Sequence, residues 1–196
     1  MAEQRKMIYT VLDVIKQELD TFLLRRIDTR GKKIVVLSEL MNNADGAFAV
    51  GEEDKIVCTL LNIEQERTNL NAPSGAKALV NPPFNLNLYA LFSAYYRPDN
   101  CKQALEALSL TLAFFQGKQV FTPANTPGLT PAIEKIIVEM VNVDLKDLSN
   151  FWTALGAKHL PCVLLKIRMV SITADIVLEE FTPITGIDVQ SVNKNG

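Results

Sequence analysis

The chain has 196 residues, 48% of them hydrophobic, with 20 basic and 22 acidic side chains and a net charge of -2. That length and composition suit one globular domain with a sizeable core, and the balanced charge excludes a nucleic-acid binder, whose affinity needs a basic footprint to release phosphate counterions. No apolar run of about eighteen residues occurs, and the N-terminus lacks the apolar stretch and small-residue cleavage site of a signal peptide. The chain is therefore expected to be made in the cytoplasm and to stay there unless a dedicated route carries it out, with no direct membrane insertion.

In chain order, Ile8, Leu12, Ile15, Leu19, Phe22 and Leu23 recur at helical spacing and predict a helix from Glu3 to Arg26, with Lys16, Gln17 and Asp20 off the apolar face. Arg25 and Arg26 suit the negative end of its dipole, and Gly31 stops any continuation. Lys33–Leu40 reads as a strand, Asn42–Asp54 as a polar loop, and Ile56–Glu66 as a strand that starts apolar and ends charged. Thr68–Val80 has no periodicity and reads as a long loop with no assigned role.

From Pro83 the apolar residues Phe84, Leu86, Leu88, Ala90 and Phe92 alternate with Asn85, Asn87, Tyr89, Leu91 and Ser93. This is the period of a strand with one buried face, and the aromatic and amide content of the other face predicts partial cover there too. Pro98 suits a first helical turn, with Asp99 or Asn100 as cap, and Leu105, Leu108, Leu112 and Phe115 predict the buried stripe of a second helix that Gly117 ends. After a short strand, Gln119–Phe121, the loop Thr122–Gly128 carries Pro123 and Pro127 and reads as a rigid, polar, shaped surface. Ile133–Val143 predicts a strand, Asp144 caps a helix to Leu155 with Leu148, Trp152 and Leu155 on one face, and Gly156 ends it. Val163–Ile172 predicts a strand with Lys166 and Arg168 on one side and Val163, Leu165, Ile167 and Met169 on the other.

The expected fold is α+β, a mostly antiparallel (mixed) sheet flanked by helices, which cover one face. The expected division is a domain over residues 1–172 and an extended segment over 173–196. No internal repeat is present.

Chemistry finds little support. Cys58, Cys101 and Cys162 are odd in number and widely spaced, which predicts buried reduced thiols and no disulfide framework. His159 and Cys162 supply two ligands where a structural zinc takes roughly four, so no metal is expected. No nucleotide-binding or nucleophile-elbow motif occurs, and no cofactor is expected. Glu64 and Glu66 point the same way on a strand as paired catalytic acids do, but a solvated strand end is the commoner explanation of such residues. Trp152 has two readings, an interface anchor or a core residue. The expected mode of action is docking to other proteins.

Four stretches then carry a resemblance. They are N-L-N-L-Y (Asn85–Tyr89), F-F-Q-G (Phe114–Gly117), V-F-T-P-x-N-T-P-G-L (Val120–Leu129) and L-x-N-F-W-x-A-L-G-A-K-x-L-P (Leu148–Pro161). With the first helix, the strand at Ile56 and K-x-R-M (Lys166–Met169), the chain resembles the Pvc/Afp-type tail cap, or tail terminator, family of phage-tail-like contractile injection systems. The resemblance implies a non-enzymatic, phage tail-terminator-like protein that closes the distal end of the tube and sheath, stops elongation and anchors the last sheath layer. Implied partners are further copies of itself in a homohexameric ring and the terminal sheath and inner-tube proteins of a particle that is released or cell-anchored. Expected interface residues are Thr122, Pro123, Asn125, Thr126 and Pro127 of the loop, Trp152 and Lys158 near the short helix, and Ile176, Leu178 and Phe181 of the C-terminal segment. The competing readings are a monomeric adaptor and a small-ligand-binding α+β protein.

Overall fold

A computed structural model describes residues 6–28, 32–42, 44–66, 84–131 and 133–172. The expected loop Thr68–Val80 and the C-terminal segment with Ile176, Leu178 and Phe181 lie outside the described residues.

The first helix, α1 (Met7–Leu24), buries Val11, Leu12, Ile15, Leu19 and Leu23 against the sheet. Each such side chain contributes about 1.5–3 kcal/mol by leaving water. Asp20 does not belong to a solvated face: it is buried, and its Oδ1 accepts the backbone N–H of Ile34 and of Val35, both at 2.8 Å. A helical carboxylate thereby fixes where the first strand starts. Arg26 folds back over the Phe22 ring, 3.6 Å from its centroid, and donates to the Phe22 carbonyl, as a cation at a helix C-terminus should.

Six strands form one mixed sheet: β1 (Val35–Leu37), β2 (Lys55–Gln65), β3 (Phe84–Tyr95), β4 (Val120–Phe121), β5 (Ile136–Val141) and β6 (Cys162–Ile172). Their spatial order is β1-β2-β3-β6-β5-β4, with β1 parallel to β2 and every other pairing antiparallel. The outer strands are shorter than the apolar runs in the sequence suggest. β1 covers only Ile56–Cys58 of β2, and β4 covers only Ile136 and Ile137 of β5.

Alternation along the central strands separates two cores. Ile56, Cys58, Leu88, Ala90, Phe92, Leu165 and Ile167 face α1 and α2 (Cys101–Gly117). Val57 and Leu91 face the other way, where Trp152 of α3 (Leu145–Leu155) seals a smaller cluster with Leu148, Phe151 and Leu155 around it. Helices therefore cover both faces, and not one. The part-polar face of β3 is covered because Leu91 stands in it opposite Leu164.

In α2 the period is helical but the phase differs from the leucine pattern. Ala104, Ala107, Leu108, Thr111, Phe114 and Phe115 are buried, whereas Leu105 is 52% and Leu112 38% exposed. Small side chains let the helix approach the sheet, and the paired phenylalanines fill the space at its end, with the ring centroids of Phe92 and Phe115 5.3 Å apart. Neither Asp99 nor Asn100 caps α2 through its side chain; a 3-10 turn, Pro98–Asn100, leads in, and Asn100 Nδ2 donates to Asp54 at 2.9 Å. Gly117 lies within the last turn, which the Lys118 N–H closes on the Phe114 carbonyl. For α3 the expected signals hold: Asp144 Oδ1 accepts from the Asp147 N–H at 2.8 Å, and Gly156 takes the left-handed conformation, φ 65°, just past the end.

Candidate docking surfaces

The loop after β4 is a pinned object. Asn125 Oδ1 accepts from the Thr122 N–H (2.9 Å) and the Thr126 hydroxyl (2.7 Å), while its Nδ2 donates to the Val120 carbonyl (3.0 Å). One amide side chain thus ties both ends of the turn to each other, which explains asparagine between the two prolines. Thr126 and the flanking Phe121 and Leu129 are buried, so they anchor the loop, while Pro123, Asn125 and Pro127 are presented to solvent and Thr122 is half-buried. Lys118 ties it to the body: its Nζ donates to Glu18 of α1 (2.7 Å) and to the Asn125 carbonyl (3.0 Å). Gly128 adopts φ 91°, a conformation that L side chains rarely take, next to Val14.

Trp152 is buried, and its Nε1 has no hydrogen-bond partner among the described residues. Its ring packs against Phe151 and His159, at centroid distances of 6.3 and 5.5 Å. In the single chain Trp152 supports α3 from beneath, and the exposed Lys158 and His159 follow the left-handed turn at Gly156.

Beyond α3 the same sheet face is polar. The Tyr89 hydroxyl donates to Glu64 at 2.8 Å, and this bond, followed by burial, raises the Tyr89 pKa above its ordinary value. Arg168 bridges two acids, Glu66 at 3.2 Å and Glu139 at 3.1 Å; the hydrogen bond to Glu139 is the largest cause of its raised pKa. Glu64 and Glu66 are therefore partnered by different side chains and do not converge on one site. Glu64 is exposed near the end of β2, as a charged strand end predicts, and the partners Tyr89 and Arg168 are too distant in sequence for local pattern to reveal.

An apolar groove of about 740 Å³ opens where β5 ends and β6 begins, walled by Leu105, Leu112, Met140, Val143, Leu148 and Phe151 among others. His159 and Cys162 are the titratable side chains among its described lining residues. Burial raises the Cys162 thiol above its ordinary pKa and pushes Cys58 up to about 12, so both stay protonated at neutral pH. Cys101 is exposed on α2, contrary to the expectation that all three thiols are buried. Among the described residues no three His, Cys, Asp or Glu side chains are grouped to hold a metal ion, and no helix is long and apolar enough to cross a membrane.

The described residues thus combine a two-faced sheet with a pinned loop, an apolar groove and short edge strands. The family model described as the Pvc16 N-terminal domain matches residues 10–186, and the chain belongs to that family. The fold is similar to that of the PVC sheath/tube terminator of an extracellular contractile injection system in its extended state, with a TM-score of 0.57 at 18% identity over 96% of this chain and 64% of that one. It is also similar to the tube-terminating cap of the anti-feeding prophage, with a TM-score of 0.54 at 17% identity over 92% of this chain and 60% of that one. The chain thus spans less than two thirds of either terminator. No curated protein matches it by sequence.

Proposed function

We propose that this protein is a non-enzymatic terminator of a phage-tail-like contractile injection system. In this reading it caps the distal end of tube and sheath as a homohexameric ring, stops elongation and anchors the last sheath layer. The observation that carries it is the match of the Pvc16 N-terminal domain model along residues 10–186 together with a fold shared with two terminators over nearly the whole chain. The architecture agrees physically, because a ring needs two different complementary surfaces on each copy and this domain has two unlike sheet edges.

Pro123, Asn125, Pro127 and Lys158 are the contact residues in this reading, with Thr122, Thr126 and Trp152 holding their positions from beneath. The segment with Ile176, Leu178 and Phe181 adds as a strand to a sheath subunit, a β-augmentation. Synthesis in the cytoplasm and incorporation into the particle complete the proposal. Deleting the gene and imaging purified particles by negative-stain electron microscopy tests it. Overgrown tubes or ragged sheaths of irregular length are expected; particles of normal length with intact ends would reject the cap.

A further inference from the structure

The two sides of the sheet are left open in diagonally opposite places. β2 and β5 run in opposite directions, each one strand in from an edge. β1 shields the start of β2, at Ile56–Cys58, and with the Ser38 N–H on the Cys58 carbonyl its cover ends. Among the described residues, the outward backbone groups of the stretch from Leu60 to Gln65 have no strand beside them. β4 shields the start of β5, at Ile136 and Ile137, and the last bond across is from the Val138 N–H to the Gln119 carbonyl. From Glu139 to Val141, where the strand ends, the outer side of β5 is open in the same sense.

Open strand edges are ordinarily covered, because their unmet N–H and C=O groups invite pairing. Each open stretch also carries one exposed large apolar side chain among its polar neighbours. Ile63 on β2 is 44% exposed and Met140 on β5 is 59% exposed. Both lie on the α1/α2 side of the sheet, since Ile63 stands opposite Leu88 and Met140 opposite Leu165, two residues of the main core. Met140 also forms the rim of the groove beside Leu105 and Leu112.

We propose that copies of this chain join head to tail by pairing the Leu60–Gln65 stretch of β2 in one copy, antiparallel, with the Glu139–Val141 end of β5 in the next, Ile63 entering the groove beside Met140. The inference rests on the ring reading above and specifies its seam. Strand direction fits: where the strands run along the ring axis, rotation about that axis leaves β2 of one copy and β5 of the next opposed. Stagger fits as well. The open half of β2 lies toward one end of the sheet and the open half of β5 toward the other, so each copy is displaced along its neighbour's strands. A sheet that closes on itself requires that displacement with inclined strands, and the stubs β1 and β4 then occupy the two steps it leaves. The contact is heterologous, so it closes into a ring or runs on as a filament and does not stop at a dimer.

Paired cysteines test the seam. Ile63→Cys and Met140→Cys are introduced together and singly into a Cys101→Ser background, and particles carrying each variant are oxidised mildly and run on a non-reducing gel. The double variant is expected to give a ladder that ends in one closed species, and the single variants to remain at the position of one chain. Particles with intact, normal-length tails that contain the double variant without a ladder would overturn the seam while leaving the cap standing. If the chain is absent from particles, the cap reading fails, and the same oxidation is run on the concentrated purified protein, where a ladder supports the seam and none rejects it. As a second readout, Ile63→Arg and Met140→Arg, both at exposed positions, are expected to retain the wild-type circular dichroism spectrum and to lose at least tenfold in self-association. Unchanged self-association in both would also overturn the proposal.

Discussion

Lys118 Nζ stands 2.7 Å from a Glu18 carboxylate oxygen, joining the residue that follows α2 to the middle of α1 across 100 positions of sequence. The same ammonium donates to the Asn125 carbonyl and lies 4.9 Å from the centroid of the Phe121 ring. The exposed loop is thereby fixed to the helical layer. Lys118→Met keeps the aliphatic stem and removes the charge. It is expected to cost about 1–2 kcal/mol in urea unfolding, the range for a part-buried charged hydrogen bond. An unchanged midpoint would show that the loop is held without it.

Asn125→Ala removes the three hydrogen bonds that its side chain makes, whereas Pro127→Ala removes none of them. The first is expected to lower stability by about 1–2 kcal/mol, the second by under about 0.5 kcal/mol, in line with an exposed substitution. If Pro127→Ala particles nevertheless have irregular tails, the exposed surface of the loop is a contact and not only a brace.

Trp152 separates volume from hydrogen bonding. Its buried Nε1 has no partner among the described residues, so Trp152→Phe gives up packing without orphaning another group there and is expected to cost about 1–2 kcal/mol. Trp152→Ala empties the space between α3 and the sheet and is expected to cost about 3–5 kcal/mol. Chemical unfolding of the two variants measures both. Equal losses would contradict the packing role.

Asp20 accepts two buried backbone N–H groups through one oxygen. Asp20→Asn retains a carbonyl oxygen for both, while Asp20→Ala orphans them, so losses of about 1 and about 2–4 kcal/mol are expected. Hydrogen exchange at Ile34 and Val35 should quicken in the alanine variant alone.

Asp54 gives a pH dependence. Burial alone would raise its carboxyl, but hydrogen bonds from Asn100 and Arg97 and the Arg97 charge outweigh this and hold it below its ordinary value of 3.8. A depressed folded-state pKa adds stability that is fully present above the unfolded value and is lost as pH falls through the folded one. Asp54→Asn removes that charge yet suits the left-handed backbone there, φ 63°. The melting-temperature gap between wild type and variant should hold steady above about pH 5 and shift toward the variant in more acid solution. A pH-independent gap would assign Asp54 a purely conformational role.

Local chemistry in the sequence determined α1, α3 with its Asp144 cap and Gly156 stop, the alternation of β3 and β6, and the order of the elements. Each of these depends on residues within a few positions of one another, where periodicity and capping act. The motifs also determined the family, because Val120–Leu129 and Leu148–Pro161 are long, and the family model covers them both.

Only the tertiary structure decided the rest. Leucines mark α2 as amphipathic, but which side faces inward depends on how closely a helix can approach the sheet, and Ala104 and Ala107 win that contest over Leu105 and Leu112. Asp20 looks solvated until β1 arrives with two N–H groups to satisfy. Glu64 and Glu66 look like a pair until Tyr89 and Arg168 separate them. The lengths of β1 and β4, and so the two open edges, follow from where distant backbone meets and stops. Non-local contacts of this kind leave no period in the chain, which is why they emerge only when the sheet is assembled.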